Sequence, residues 1–175
     1  MGLNIIRTDS VRDLALAGSG ITPPKDWADV GQVRAVKLAE LSEACNGAII
    51  AGCDVAMADG STGHISLTAE DQINLSTATQ AVGQGAAGYP YHLDGQLCTM
   101  YQAADIVAMA QAATAHKLYH TTYYNHLSAW VRRCETVEEV QAVTYGAALP
   151  EDLAAHMAGV LAAAGGGENG APAKP

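Results

Sequence analysis

The chain has 175 residues, a length that fits one domain with a substantial core, with or without a short appended arm. Hydrophobic residues make up 49% of the sequence, which excludes the composition of a disordered protein. Nine lysines and arginines stand against 18 aspartates and glutamates, and the resulting charge of −9 disfavours binding to nucleic acid or anionic lipid. No apolar run is long enough for a membrane span, and the charged N-terminal stretch is unlike a secretory signal, so synthesis in the cytoplasm is expected.

Residues 1–30 are predicted to form an irregular N-terminal arm. The segment GSGITPPKDW contains glycines and a proline pair that interrupt regular structure, and NIIRTD is at most a short strand. The arm carries five apolar residues that are candidates for docking onto a partner: Ile5, Ile6, Val11, Leu14 and Leu16. Arms of this kind often become ordered only within an assembly.

A helix is predicted from about residue 31, because apolar side chains recur at three- and four-residue spacing. Gly52 is expected to end this helix. A hairpin with a loop of three to five residues is predicted next, around Asp59 and Gly60. Alternation along its second strand places His64 and Ser66 on the face opposite to the apolar side chains.

A second helix is predicted from Ala69 to about Gly83, with Thr68 as its N-cap. A second hairpin follows in YPYHLDGQLCTMY, where Asp94 and Gly95 are typical of a type I′ turn. The longest helix is expected from about Gln102 to Cys134. A short helix at 137–143, a last helix at 150–163 and a flexible tail at 165–175 complete the chain.

These elements indicate the α+β class, predominantly helical, with two short hairpins that form one small antiparallel sheet packed on the long helix. Residues 31–164 are predicted to form a single globular domain. The four cysteines, at positions 45, 53, 98 and 134, have no zinc-ligand spacing and are expected to be reduced and buried.

The stretch HKLYHTTYYNHL places three histidines on the long helix. His116 and His120 lie about 40° apart around the helix axis, on the stripe that carries Met109 and Leu127, so they are predicted to face the packed side. The opposite side is polar, and Ser128 belongs to the residues expected to face solvent there.

Two interpretations of these histidines remain open. An i, i+4 pair is spaced to bind one metal ion, but Lys117 occupies the position where a metalloprotease has its glutamate, and a third ligand would come from His92, Asp94 or His64. The favoured interpretation is a structural polar seam, in which the rings form hydrogen bonds with the hairpin backbone and with each other. The predicted seam consists of His92, Asp94, His116, His120, Thr122, Tyr123 and Asn125. No metal, cofactor or catalytic residue is expected.

Four segments of the sequence together resemble a known family: ISLTAEDQINL, GYPYHLDGQLC, HKLYHTTYYNHLSAWV and VQAVTYGAALPEDL. The family comprises small proteins encoded in phages and prophages of Gram-positive bacteria, related to a domain of unknown function found in tail-fibre and tail-fibre-assembly proteins. The resemblance covers residues 33–155 and assigns no catalytic role. Its motif positions here are Asp71, Gln72, Asn74, Tyr91, His92, Asp94, Gly95, His120, Thr121, Thr122, Tyr123 and Asn125.

The resemblance implies a non-enzymatic phage tail structural protein of the tail tip, baseplate or tail fibre. Such a protein resides in the virion, is made in the cytoplasm of the host bacterium, and contacts other tail or fibre proteins. The symmetry of tails leads us to expect a homo-oligomer. One alternative is a tail-fibre assembly chaperone, and a distant one is a metal-dependent envelope hydrolase that uses His92, His116 and His120.

Overall fold

The computed structural model describes residues 8–165. Its helices are α1 (Thr8–Gly18), α2 (Val30–Ala51), α3 (Ala69–Gly83), α4 (Ala103–Arg133), α5 (Val137–Ala142) and α6 (Glu151–Ala163). Its strands are β1 (Cys53–Ala56), β2 (Thr62–Ile65), β3 (Gly88–Tyr91) and β4 (Thr99–Gln102). The predicted α+β class with a dominant helical content is confirmed, and helices α2 to α6 begin and end within two residues of the predicted positions.

The described residues divide into two compact units. One contains residues 8–44 and 124–156, and the other contains residues 45–123 and 157–165. Helices α2 and α4 each contribute residues to both units. The predicted boundaries of a single domain at 31 and 164 stay a prediction.

The hairpin unit has its hydrophobic core between the two hairpins and the first half of α4. Ile65 and Leu67 from the first hairpin and Leu93 from the second lie in one buried cluster with Ile106 and Met109 of α4. Each hairpin is a separate two-stranded antiparallel sheet, β1 with β2 and β3 with β4. The prediction of one sheet is therefore wrong. The hairpins are joined instead by a backbone bond outside both ladders, from the Asp94 amide to the His64 carbonyl at 2.9 Å.

Three local features of the hairpin unit follow directly from the sequence. Thr68 and Asp71 form the predicted cap of α3, because each side chain accepts a hydrogen bond from the other residue's backbone amide. Gly52 ends α2 with a φ of 82°, as predicted, and a Cβ at that position would overlap the carbonyl of Ile65. Gly63 of β2 leaves space that the side chain of Leu93 fills, since a Cβ there would overlap its methyl groups.

The turn of the second hairpin differs from the type I′ prediction. A type I′ turn needs a positive φ at both central residues, but Gly95 alone has one, at 73°. The strands pair only from Tyr91 and Thr99 outwards, so a seven-residue loop, 92–98, connects them. Within this loop the Gln96 amide donates to the Leu93 carbonyl at 3.0 Å. Asp94 is drawn out of a tight turn because its carboxylate bonds to Ser66 of the first hairpin.

The other unit contains α1, and here the prediction of an irregular arm is wrong. Thr8–Gly18 is a helix, because its hydroxyl and acidic residues lie at the start, good helix formers follow, and a glycine ends it. Trp27 anchors the segment after α1, since its Nε1 donates to Asp13 Oδ1 at 3.0 Å and the Arg12 guanidinium lies 3.9 Å above its ring. The strand suggested for NIIRTD lies largely outside the described residues, and so does the tail from residue 166.

Arg34 holds the end of α4 in the same unit. Its Nη2 donates to the Cys134 carbonyl at 2.7 Å and its Nε to the Val131 carbonyl at 3.3 Å, so it satisfies two carbonyls of the last helical turn. None of the helices in residues 8–165 is long and apolar enough to cross a membrane.

Candidate functional site

The predicted seam on α4 contains a compact cluster of aromatic rings. The His116 and His120 rings are 4.4 Å apart in an edge-to-face arrangement, and Tyr119 lies 5.2 Å from His120 in the same way. Tyr123 is buried and stacks on Tyr119 at 6.1 Å. Helical spacing therefore predicted correctly that His116 and His120 lie on one stripe, one turn apart.

The hydrogen bond of His116 goes to a helix and not to a hairpin. Its Nε2 lies 2.9 Å from the Ala48 carbonyl near the end of α2, where carbonyls lack partners within the helix. Next to this bond, the Cys45 Sγ lies 3.4 Å from the His120 carbonyl. The expectation that these rings bond to hairpin backbone is wrong for His116, because α2 covers this part of α4.

His120 is held as a neutral imidazole. Only 6% of its surface is exposed. Burial lowers its pKa to about 4, and the adjacent His116 adds to this effect, since a protonated neighbour repels a second positive charge. A neutral buried ring contributes packing and hydrogen bonding to the cluster.

The other predicted seam residues differ in burial and in position. Thr122 is buried on α4. His92 is exposed and stacks on Tyr91, with ring centroids 5.4 Å apart, and Asn125 is exposed on α4. Asp94 lies at the contact between the hairpins.

A second polar cluster lies on the exposed face of the hairpins. The sequence indicated it only through strand alternation, which placed His64 and Ser66 on the face opposite to the apolar side chains. Ser66 donates to Asp94 twice, through its Oγ at 2.5 Å and its amide at 3.1 Å. His64 lies next to this pair, with its Nε2 4.0 Å from Asp94 Oδ2. Burial raises the pKa of Asp94, but the bonds from Ser66 and the charges of His64 and His92 outweigh it, so the net pKa is lowered.

A third group, in the other unit, joins two histidines 30 residues apart. The buried His126 places its Nε2 2.9 Å from the Nδ1 of His156 on α6. One of these nitrogens carries the shared proton and the other accepts it. A cavity of about 480 Å³ lies beside the pair, and the Arg133–Asp152 ion pair, with an Nη1–Oδ2 distance of 2.5 Å, also lines it. The sequence did not indicate this pairing, because the two histidines lie on different helices and are 30 residues apart.

Ser128 also differs from its predicted position on the solvent side of α4. Only 3% of its surface is exposed, and its Oγ has no hydrogen-bond partner among the described residues.

No three histidine, cysteine, aspartate or glutamate side chains converge as metal ligands anywhere in residues 8–165. The envelope-hydrolase hypothesis needs His92 beside His116 and His120. His92 instead lies in the loop of the second hairpin, stacked on Tyr91. The structure therefore does not assemble the ligand set on which that hypothesis depends.

The cysteines divide into three environments. Cys45 and Cys134 are buried, Cys53 is half-buried and Cys98 is exposed, and all four are free thiols. Burial raises the pKa of Cys53 to about 11, and the neighbouring Asp54 adds to this effect. The expectation of burial is wrong for Cys98, since it lies in the loop of the second hairpin.

The predicted docking residues of the N-terminal arm differ in exposure. On α1, Val11 and Leu14 are 57% and 72% exposed, one helical turn apart. Leu16 is buried and contributes to the core of its own unit. Ile5 and Ile6 lie outside the described residues.

Comparison with known protein families assigns the chain to one family. A family model described as "Domain of unknown function (DUF4376)" matches residues 32–147. The chain belongs to this family. No curated protein matches it, and no solved structure does.

The DUF4376 match is close to the range of the resemblance noted in the sequence, residues 33–155, and it confirms a family of unknown function. The DUF4376 region includes both hairpins and the ring cluster of α4. Helices α1 and α6 lie outside it. The pair of His126 and His156 therefore joins a DUF4376 residue to one beyond the matched region.

Proposed function

We propose that this chain is a non-enzymatic phage tail structural protein that acts through protein–protein contacts at the tail tip, baseplate or tail fibre. The tail setting rests on the resemblance of the four sequence segments. The binding role rests mainly on one observation, the exposed apolar pair Val11 and Leu14 on α1. Large apolar side chains grouped on a surface are typical of interaction sites.

Helix α1 has apolar residues on two sides, and this supports a second contact. Leu16 faces inwards and is 5% exposed, so it accounts for the packing of α1 within its own unit. Val11 and Leu14 are not needed for that packing. A partner that presents a complementary apolar groove would cover both side chains at once, as in other helix-in-groove complexes.

The experiment is to purify virions of the encoding phage and to look for this chain by mass spectrometry. A tail structural protein is expected in the particle at a copy number in proportion to other tail proteins. Absence from virions would end this proposal. An assembly chaperone gives the distinct pattern of presence in the lysate, absence from virions, and co-purification with the fibre.

The α1 contact is tested with the double variant V11S/L14S, complemented in trans during phage growth. Incorporation into virions is expected to fall at least tenfold, while the thermal unfolding of the isolated chain changes little because both side chains are exposed. The matched control is I73S, since Ile73 on α3 is 66% exposed but lies on another element. Equal incorporation of V11S/L14S and I73S would remove α1 as the docking element.

The hydrolase alternative is tested by elemental analysis of freshly purified protein. Bound zinc, manganese or nickel near one equivalent, lost in H116N/H120N, would support it. The proposed role predicts no stoichiometric metal and a loss of thermal stability in H116N/H120N, because the Ala48 bond and the ring packing disappear.

A further inference from the structure

Strand β4 presents an open backbone edge. The Ala103 amide donates to the opposite Ala87 carbonyl at 2.9 Å, and bonded and non-bonded pairs alternate along an antiparallel ladder, so Pro90 and Met100 form a pair without hydrogen bonds between the strands. This agrees with the missing amide hydrogen of Pro90. The flanking pairs, Tyr89 with Tyr101 and Tyr91 with Thr99, are then the ones that exchange bonds. The amide and carbonyl of Met100 consequently point away from β3, towards the outer edge. No other strand of the described chain pairs with that edge.

The side chains along this edge are exposed and uncharged. Met100 is 62% exposed and Leu97, at the start of the same stretch, is 90% exposed. The stretch 97–102, LCTMYQ, contains no charged residue and no proline, although the chain as a whole has a charge of −9. Natural edge strands are usually protected by charges, prolines or bulges.

The other three strands have such protection, which singles out β4. Strand β1 contains Asp54, strand β2 contains His64 bonded to it, and strand β3 contains Pro90. Two copies of β1 or β2 paired about a two-fold axis would bring like side chains together, with aspartate facing aspartate in the case of β1. A symmetric pair of β4 strands brings no charges together, so this edge suits a second copy of the same acidic chain.

We propose that two copies of this chain associate through antiparallel pairing of β4 with β4, about a two-fold axis at Met100. The outward amide and carbonyl of Met100 then bond to those of Met100 in the other copy, and Cys98 lies opposite Gln102. The two hairpins join into one four-stranded sheet, with Met100 partly covered at its centre. A sheet of this size is more stable than an isolated two-stranded hairpin.

Hydrodynamic measurement of the full chain under reducing conditions tests the association. A strand of four residues buries little surface, so the dimer is expected at micromolar dissociation constants, which sedimentation between about 1 and about 100 µM resolves. M100P removes an amide hydrogen that forms no hydrogen bond with β3. M100K places two lysines opposite each other in the dimer. Both variants are expected to be monomeric and to keep the wild-type circular dichroism, while I73K stays dimeric as the matched control.

Cross-linking tests the register. In Q102C, oxidation is expected to link Cys98 of one copy to the thiol introduced at position 102 of the other copy and to give a covalent dimer on a non-reducing gel. Residues 99 and 102 at the two ends of β4 lie about 10 Å apart and Cys98 precedes them, so positions 98 and 102 of one chain are too far apart for a disulfide. C98S/Q102C is expected to give no such dimer.

Three results would each overturn the proposal. These are a wild-type chain that stays monomeric over the whole concentration range, a dimer that survives both M100P and M100K, or a dimer that Q102C fails to cross-link. None of them bears on the presence of the chain in virions. The self-association and the tail role therefore fail independently.

Discussion

The Nδ1 atom of His64 lies 2.8 Å from the Oδ1 atom of Asp54 across the first hairpin. On the other side of the ring, Nε2 lies 2.8 Å from the carbonyl oxygen of Ala51. Both partners are acceptors, and a neutral imidazole has only one N–H to donate. The geometry therefore favours the imidazolium form, and the Ala51 and Asp54 bonds raise the pKa of His64 above 6.5.

Stability is expected to depend on pH through His64. A raised pKa in the folded state contributes stability that is complete below the unfolded value near 6.5 and is lost as pH rises through the folded value. H64Q should therefore lower the melting temperature at about pH 5.5 and much less at about pH 9. D54N keeps the side-chain oxygen but removes the charge, so it should weaken this pH dependence. A constant H64Q effect across pH would contradict the imidazolium assignment.

His120 is expected to act with the opposite sign. Burial lowers its pKa to about 4, so the unfolded state binds the proton more readily between about pH 4 and 6.5. The stability that neutral His120 contributes is present above about 6.5 and is lost as pH falls towards about 4. Thermal unfolding of H120L should show a weaker decline over this acid range than the wild type does. The NMR titration of the His120 ring supplies the direct check, and a midpoint near the ordinary histidine pKa of about 6.5 would refute it.

Gly52 is expected to tolerate no side chain. Its φ of 82° lies in the left-handed region, and a Cβ would also overlap the Ile65 carbonyl, which is backbone and cannot move aside. G52A should cost at least about 2 kcal/mol in the free energy of unfolding measured in urea. G159A, in α6 with open space around it, should instead add about 0.5–1 kcal/mol. Similar effects of the two substitutions would contradict this local geometry.

The four thiols are expected to react at different rates with a thiol reagent. Cys98 is exposed and should be labelled first in the native protein, before the half-buried Cys53 and the buried Cys45 and Cys134. Cys53 should be slow because its pKa of about 11 leaves little thiolate at neutral pH. C98S should remove the fast phase entirely. A fast phase that persists in C98S would place another thiol at the surface.

The elements that the sequence predicted correctly are the ones that local interactions determine. Helical spacing located α2 and α4, and the Thr68 cap located the start of α3. Each of these signals lies within a few residues of the element that it marks. The placement of His116 and His120 on the buried side of α4 succeeded for the same reason.

The features that the sequence did not predict depend on distant contacts. Asp94 and Gly95 have the composition of a tight turn, but the bonds from Ser66 hold Asp94 in a wider loop. The buried His126 pairs with His156, whose position nothing near residue 126 reveals. Helix α1 was missed because the glycines and prolines that follow it dominated the composition of the arm.

The space left by Gly63 and filled by Leu93 ties together two positions that are 30 residues apart in the sequence. A larger residue at position 63 would fit only with a smaller one at position 93, since protein interiors hold few empty volumes. Members of the family should therefore show correlated substitutions at these two positions. Such correlated sizes would show that the packing between the first hairpin and the loop of the second is maintained across the family.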